Sequence, residues 1–264
     1  MEKMEKIEKI KLDTYAVNTW CKGCGNFGIQ AAFKSAVSEL VAEGKLNLNN
    51  LVVAAGIGCF GKMMDYLNIN SFYTLHGRVP PTLTGIKIGN PQLTVVGFAG
   101  DGDAYDEGIE HMVHSAKRNS DIKMIIHDNL VFALTAYQST ATTTTGFKTK
   151  SDPMGAFERP INPIALMIAS GATFVARGFA GNIPHLKEIF KQAIMHKGFA
   201  FVDVLQTCVT FNNTFEMYRK KCYELTGHDA TNFEAAMKLA YEGDGKIPIG
   251  IFYNVQKKTF EEEL

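Results

Sequence analysis

Residues 20–28 read WCKGCGNFG, and the pair Cys21 and Cys24 is one of the few groupings in this 264-residue chain whose type and spacing could do chemistry. Three further cysteines stand apart: Cys59 in GIGC, Cys208 in LQTC and Cys222 in RKKC. A C-x2-C pair with two distant thiols suits an iron–sulfur cluster, a four-coordinate zinc ion, or a dithiol that exchanges with a disulfide. Zinc ribbons usually close with a second C-x2-C, whereas Cys59 and Cys208 are each alone at the end of an apolar run. Glycines around the first pair leave backbone N–H groups free to face cluster sulfurs. A dithiol motif wants a strand before it, and KIKLDTYAVNTW is a weak one. At the level of the cysteines all three uses stay open. Cys222, in FEMYRKKCYEL, reads as a packed thiol rather than a ligand.

The second grouping is Gly100-Asp101-Gly102-Asp103, which follows the apolar run LTVVGFA and precedes AYDEGIEHMVHSA. Glycines at such a strand-to-helix turn let backbone N–H groups face a phosphate at a helix N-terminus. An aspartate there would repel the phosphate, so a divalent cation between them is the natural solution. Magnesium takes carboxylate, carbonyl, water and phosphate oxygens. Asn129 lies twenty-eight residues after Asp101, one helix plus one strand, so the two would emerge on adjacent strand ends. No G-x-G-x-x-G opens a helix after the first strand, which argues against a dinucleotide fold. His111 and His114, about one turn apart, and His127, beside Asp128, read more readily as surface or packing residues than as ligands.

The elements that must position these groups are legible as short β-branched apolar runs at 51–57, 93–100, 122–128 and 200–206. Each suits a strand buried on both faces of a parallel sheet. Helical spacing fills 27–43, 105–118 and 183–197, the last opening with Asn182, Ile183 and Pro184 in cap and first-turn style. The pattern predicts an α/β fold with a doubly wound, mostly parallel sheet, whose ligands sit beyond the carboxyl ends of the strands. Those ends carry GIGC, AGDGD, HDN and LQTC. STATTTTGFKTKSDP (139–153) is too long for a mere connection, and loops of that length are usually functional or mobile. The expected division is an α/β domain over 1–214 and a helical C-terminal extension over 215–264 packed on the same domain, closing with IPIGIFY.

Composition excludes other classes. The chain is 46% hydrophobic and 20% charged, with 27 basic residues against 27 acidic, so nothing draws it to nucleic acid. The opening MEKMEKIEKIKL lacks the apolar core of a signal peptide, and no apolar run approaches the ~20 residues of a membrane span. A cytosolic protein is expected, and five cysteines, an odd number, argue against a disulfide framework.

Taken together, WCKGCGNFGI, GIGCFGK, LHGRVPPTLTGIKIGNP, GFAGDGDAYDEG, RNSDIKMIIHDNLVFALTAYQ and LQTCVTFNN resemble the β subunits of the 2-oxoacid:ferredoxin oxidoreductases, two-subunit type, over about residues 16–213. The resemblance implies a thiamine diphosphate-binding fold carrying that cofactor, Mg2+ and one 4Fe-4S cluster. It implies that Cys21, Cys24, Cys59 and Cys208 are the cluster ligands. Mg2+ would be held by Asp101, the Asn129 side chain and the Val131 carbonyl. Ile57, Gly58, Cys59, Phe60, His76, Gly102, Asp103, Ala133 and Leu134 would line the cofactor, and Lys62 would meet the substrate carboxylate.

The implied reaction is coenzyme A-dependent oxidative decarboxylation of a 2-oxoacid, with electrons passing through the cluster to ferredoxin. An α subunit is implied as partner, because no glutamate here sits in a recognisable context for activating the cofactor. Ala133, Ala136 and Tyr137 depart from the family, whose members usually have glycine, glycine or lysine, and glycine there. Lys22 stands where proline is common. The rival expectations are a non-oxidative thiamine diphosphate-dependent decarboxylase subunit and a zinc-stapled, non-catalytic binding module.

Overall fold

A computed structural model of the chain describes residues 10–243 and 245–264. Most of the charged start read above, residues 1–9, lies outside the described residues. The chain opens with α1 (Asn26–Ala42), β1 (Leu51–Ala55), α2 (Met63–Tyr66), β2 (Asn70–Tyr73), α3 (Val79–Gly89) and β3 (Thr94–Gly100). It continues through α4 (Ile109–Arg118), β4 (Lys123–Asp128), the short strands β5 (Val131–Phe132) and β6 (Gln138–Ser139), α5 (Pro163–Ala169) and β7 (Phe174–Phe179). α6 (Ile183–Met195), β8 (Ala200–Leu205), α7 (Phe215–Lys221), β9 (Cys222–Glu224), α8 (Phe233–Ala240), β10 (Ile247–Asn254) and α9 (Phe260–Glu263) complete it.

Eight strands form one sheet in the order β2-β1-β3-β4-β8-β7-β10-β9. Pairing is parallel throughout except between β7 and β10. The four strands read from the sequence, β1, β3, β4 and β8, are consecutive in space and form the centre of the sheet. Their side chains alternate between two cores. Val53, Val96, Phe98, Ile125 and Val202 face α1 and α6, where Phe33 meets Phe98 edge-on at 5.0 Å. Ala54, Val95, Met124, Ile126 and Phe201 face α3, α4, α5 and α8. Burial on both faces is why these strands read as unbroken apolar runs.

Asn182 caps α6 as expected, its side chain accepting from the His185 N–H, and proline fills the first turn. The helix expected from 105 starts at Ile109. Residues Gly102–Asp106 instead form a π-helical turn, and Gly108 packs so closely on Gly77 that a Cβ there would lie 2.7 Å from the Gly77 carbonyl oxygen. The C-terminal extension has its helices α7, α8 and α9, but IPIGIFY is the body of β10, which binds the main sheet antiparallel to β7. Cys222 therefore opens β9 at the sheet edge rather than sitting on a helix, and packs beside Phe179, Leu205 and Tyr218. Among the described residues no helix is long and apolar enough to cross a membrane.

Asn119 ties this tail to the body. It ends α4 at φ 53°, the left-handed conformation that asparagine tolerates. Its Nδ2 donates to the Lys257 and Lys258 carbonyls at 3.2 and 3.0 Å, and its Oδ1 accepts from the Phe199 N–H and the Thr173 hydroxyl at 2.9 and 2.7 Å. Asn119→Ala strands these buried partners and forces alanine into a left-handed backbone, so stability should fall by about 3 kcal/mol in urea unfolding. An unchanged unfolding midpoint would refute that role.

Candidate active site

The site lies where the central strands end. β1 runs into Gly56, whose N–H donates to the Phe98 carbonyl on β3, and then into a single tight turn, Cys59–Lys62. The Trp20 indole N–H fixes this turn by donating to the Cys59 carbonyl at 2.6 Å. β3 leads into Asp101, β4 ends at Asp128 with Asn129 next, and β8 leads into Gln206, Thr207 and Cys208. The Gln206 N–H donates to the Asp128 carbonyl, so the last two strand ends are laced together.

Two adjoining cavities open here. The larger, about 270 Å³, is lined by Ile57, Gly58, Cys59, Phe60 and His76 on one side. Asp101, Gly102, Asp103, Asn129, Val131, Ala133 and Leu134 line the other. Every residue expected to hold cofactor or Mg2+ is thus on one wall or another. The smaller cavity, about 120 Å³, is ringed by Cys21, Cys24, Cys59 and Cys208, with Lys62 on its edge. The Lys62 ammonium donates to the Thr19 hydroxyl at 3.0 Å and is placed with the cysteines rather than on the larger cavity. Asn26, Cys59, Asn129, Ala133 and Gln206 line both cavities and form the partition between them.

Gly102 permits a close approach that no other residue would. A Cβ there would sit 2.1 Å from the Phe132 ring, so the backbone of the GDG turn can lie flat against the cavity floor. Asp103 acts through its own loop. Its Oδ1 accepts from the Gly77 and Ile57 N–H groups at 2.8 and 3.3 Å and faces His76 at 3.5 Å, pinning three loops together. Its Oδ2 is buried without a protein partner.

Charge is the dominant feature of the floor. Asp101, Asp128 and Asp203 are each almost wholly buried. Arg177 and the Tyr105 hydroxyl bind Asp203 at 3.2 and 3.1 Å. Burial first, then the neighbouring carboxylates Asp203 and Asp101, push Asp128 well above the ordinary carboxylate range. Burial likewise pushes Asp101 up, partly offset by two threonine hydroxyls. Those hydroxyls belong to the long polar loop. Thr140 and Thr142 donate to Asp101 Oδ2 at 2.6 and 3.0 Å, Thr142 reaches Asp128 Oδ1 at 2.9 Å, and Thr143 holds the Leu130 carbonyl at 2.7 Å. The loop therefore folds back over the acidic floor. Its length and composition marked it in the sequence, but nothing in the spacing named these three residues.

Other participants were also hidden. Asn26 Oδ1 lies 2.9 Å from His127 Nδ1, and burial holds the His127 imidazole neutral, its titration lowered to about 3. Its Nε2 is buried without a partner. His111 lies 3.5 Å from Glu110 on the surface of α4, away from both cavities. Ala136 and Tyr137, singled out as departures from glycine, have φ of 70° and 83°. That left-handed backbone explains why glycine suits these positions. Tyr137 offsets the strain by stacking on Phe211 at 5.2 Å and donating to the Lys148 carbonyl at 2.8 Å.

What could bind follows from the donors. Asp101, Asn129 and the Val131 carbonyl offer hard oxygens of the kind magnesium takes, on the floor where negative charge is in excess. Among the described residues no three His, Cys, Asp or Glu side chains converge closely enough for a single metal ion. The four thiols instead surround a space. Burial, and then the nearby Cys208, Cys59 and Cys21, push the Cys24 thiol up to about 11, and burial raises Cys59 against the opposing charge of Lys62. An iron core would offset that cost by supplying positive charge.

Fold and floor define a thiamine diphosphate-binding α/β enzyme domain. A family model described as the thiamine pyrophosphate enzyme C-terminal TPP-binding domain matches residues 49–204, and one for the C-terminal part of the pyruvate ferredoxin oxidoreductase β subunit matches 208–264. The β subunit of 2-oxoacid:ferredoxin oxidoreductase 1 of Aeropyrum pernix is 44% identical over 93% of this chain and 80% of its own length. A 2-oxoglutarate synthase subunit KorB of Methanocaldococcus jannaschii is 34% identical over 93% and 90%. A structure of the 2-oxoglutarate:ferredoxin oxidoreductase of Magnetococcus marinus, with 2-oxoglutarate, coenzyme A and succinyl-CoA bound, superposes with a TM-score of 0.93 at 34% identity. That match covers 98% of this chain and 89% of the other. The chain belongs to the family of 2-oxoacid:ferredoxin oxidoreductase β subunits.

The threonine contacts carry a prediction. Thr142→Val leaves Asp101 and Asp128 short of a shared donor. It should weaken thiamine diphosphate binding at fixed Mg2+ by roughly tenfold or more, the usual cost of removing a group that orients a metal ligand. Calorimetric titration checks it, and unaltered affinity would exclude the loop from the site.

Proposed function

We propose that this chain is the catalytic β subunit of an enzyme that oxidatively decarboxylates a 2-oxoacid, transferring the acyl group to coenzyme A and the electrons to ferredoxin. In this reading it holds thiamine diphosphate with Mg2+ in the larger cavity and one 4Fe-4S cluster in the smaller. The observation that carries the reading is the shared partition: one turn, Gly58–Lys62, contributes Cys59 to both cavities.

Thiamine diphosphate, when bound, supplies the electron sink for decarboxylation, and a cluster supplies a one-electron acceptor beside it. The protein groups position both. Asp101, the Asn129 side chain and the Val131 carbonyl would hold Mg2+, with the Thr140 and Thr142 hydroxyls orienting Asp101. The backbone of Gly102 and Asp103 admits the diphosphate closely. Ile57, Gly58, Phe60, His76, Ala133 and Leu134 line the space for the rings. Cys21, Cys24, Cys59 and Cys208 would bind the cluster, and Lys62, on the edge of the smaller cavity, would offer positive charge to a substrate carboxylate.

No glutamate lines either cavity among the described residues. A partner α subunit would supply the acid that activates the cofactor, together with much of the coenzyme A site. Apolar side chains lining the larger cavity support such a cover: Ile57 and Leu134 are 46 and 52% exposed. Of the three departures from glycine, Ala133 lines both cavities, and its methyl group would narrow the approach that a substrate uses. Residues 215–264 are read as an extension of the same folding unit as the α/β domain, because β10 pairs directly with β7.

Anaerobic metal analysis tests the reading. About four irons per chain are expected, and Cys208→Ser should lose them while Asp101→Ala should lose thiamine diphosphate and keep them. A chain with thiamine diphosphate but no iron would favour a non-oxidative decarboxylase, and stoichiometric zinc a structural module.

A further inference from the structure

Among the described residues, Gln206 is the side chain that hydrogen-bonds to a residue of each proposed cofactor site, Asn129 and Cys24. It follows β8, is almost fully buried, and lines both cavities. One end of its amide lies 2.7 Å from the Thr207 carbonyl oxygen. A carbonyl only accepts, so that end is the Nε2 donor. The same Nε2 donates to Cys24 Sγ at 3.4 Å. The other end is then Oε1, and the Asn129 atom 2.9 Å from it must be Nδ2. Asn129 is thereby oriented with its Oδ1 on the opposite side, where it accepts from the Val131 N–H at 3.1 Å; Asn129 and Val131 both line the larger cavity. Four atoms of two amides thus run unbroken from the carbonyl oxygen assigned above to Mg2+ to a cysteine sulfur assigned above to the cluster.

We propose that Gln206 is a positioning residue that sets the orientation of the Asn129 amide and tunes the cluster's reduction potential through Cys24, so that occupancy of the Mg2+–thiamine diphosphate site makes the cluster a stronger electron acceptor. The proposal rests on the cofactor reading above. A hydrogen bond donated to a ligating sulfur withdraws electron density from the cluster and raises its potential. A cation on Asn129 Oδ1 polarises that amide and makes Nδ2–H a better donor to Gln206 Oε1. Polarisation passes along a hydrogen-bonded chain, so Gln206 Nε2–H becomes a better donor to Cys24 in turn. Coupling between two sites is reciprocal. A reduced cluster therefore favours the cation-loaded site, and the cofactor is held most firmly while electrons are in transit. Thr210, whose hydroxyl lies 3.3 Å from Cys21 Sγ, makes the comparable contact without any link to Asn129. It serves as an internal control.

The test is a redox titration of the cluster, followed by electron paramagnetic resonance, in the purified complex of this chain with its partner subunit, with and without Mg2+ and thiamine diphosphate. The wild-type potential should be more positive with both present. Gln206→Leu should retain about four irons, move the potential negative and shrink that cofactor-dependent shift. Thr210→Val should move the potential negative and leave the shift at its wild-type size. An iron-replete Gln206→Leu complex with the wild-type potential and the wild-type shift overturns the proposal. If Gln206→Leu takes up no iron, the wild-type chain labelled with 15N at glutamine side chains decides: pulsed resonance of the reduced cluster should show a weak 15N coupling, and its absence overturns the proposal. A wild-type chain that binds no iron refutes the cofactor reading itself, which separates the two failures.

Discussion

Three carboxylates buried at one edge of a parallel sheet are the constraint on which the rest of this structure depends. Asp101 follows β3, Asp128 ends β4 and Asp203 lies within the neighbouring β8, and among the described residues only Asp203 of the three has a cationic partner, Arg177. Burying ionised carboxylates without compensation is costly, so each must be protonated, hydrogen-bonded or met by a cation. The polar loop answers part of this need by delivering hydroxyls to Asp101 and Asp128. In the proposed reading a magnesium ion would answer the rest and would separate the carboxylates from the diphosphate of the cofactor. Burial raises Asp101 and Asp128, and a cation bound there, as proposed, would favour their ionised forms.

The second consequence is proximity. Because β1 and β8 lie on either side of β3 and β4, the loops that follow them bring Cys59 and Cys208 to the same edge that carries Asp101 and Asn129. The segment before α1 folds over this edge, with Trp20 clamped on the Cys59 carbonyl, and so brings in Cys21 and Cys24. The turn that carries Cys59, together with Asn26, Asn129, Ala133 and the buried Gln206, then separates the two cavities. With the proposed cofactors in these two cavities, no mobile carrier would be needed between the site of decarboxylation and the first electron acceptor.

Much of this was legible in the residues because strands buried on both faces leave continuous apolar runs, and chemistry gathers at their ends. β2, an exposed edge strand, and β7, interrupted by the half-buried Arg177, leave no such run. β10 read only as a short apolar stretch, since its antiparallel pairing with β7 is set by tertiary contact. The site residues carried by glycine, aspartate and cysteine motifs could be placed by number. Gln206, Asn26 and the loop threonines could not, because an amide or a hydroxyl has no characteristic spacing and gains its role from what the fold brings against it. Ala136 and Tyr137 were visible as departures, but only the left-handed backbone gives the reason.

The most direct test of the central claim is the thermal stability of the complex as a function of its ligands. A ligand that binds only the folded state raises the unfolding temperature in proportion to its occupancy. If the buried carboxylates are what the cation answers, Mg2+ and thiamine diphosphate together should raise it well above either alone, and Asp101→Asn should abolish that joint increment. Equal stabilisation by thiamine diphosphate with Mg2+ removed by chelation, or an undiminished increment in Asp101→Asn, would contradict the account.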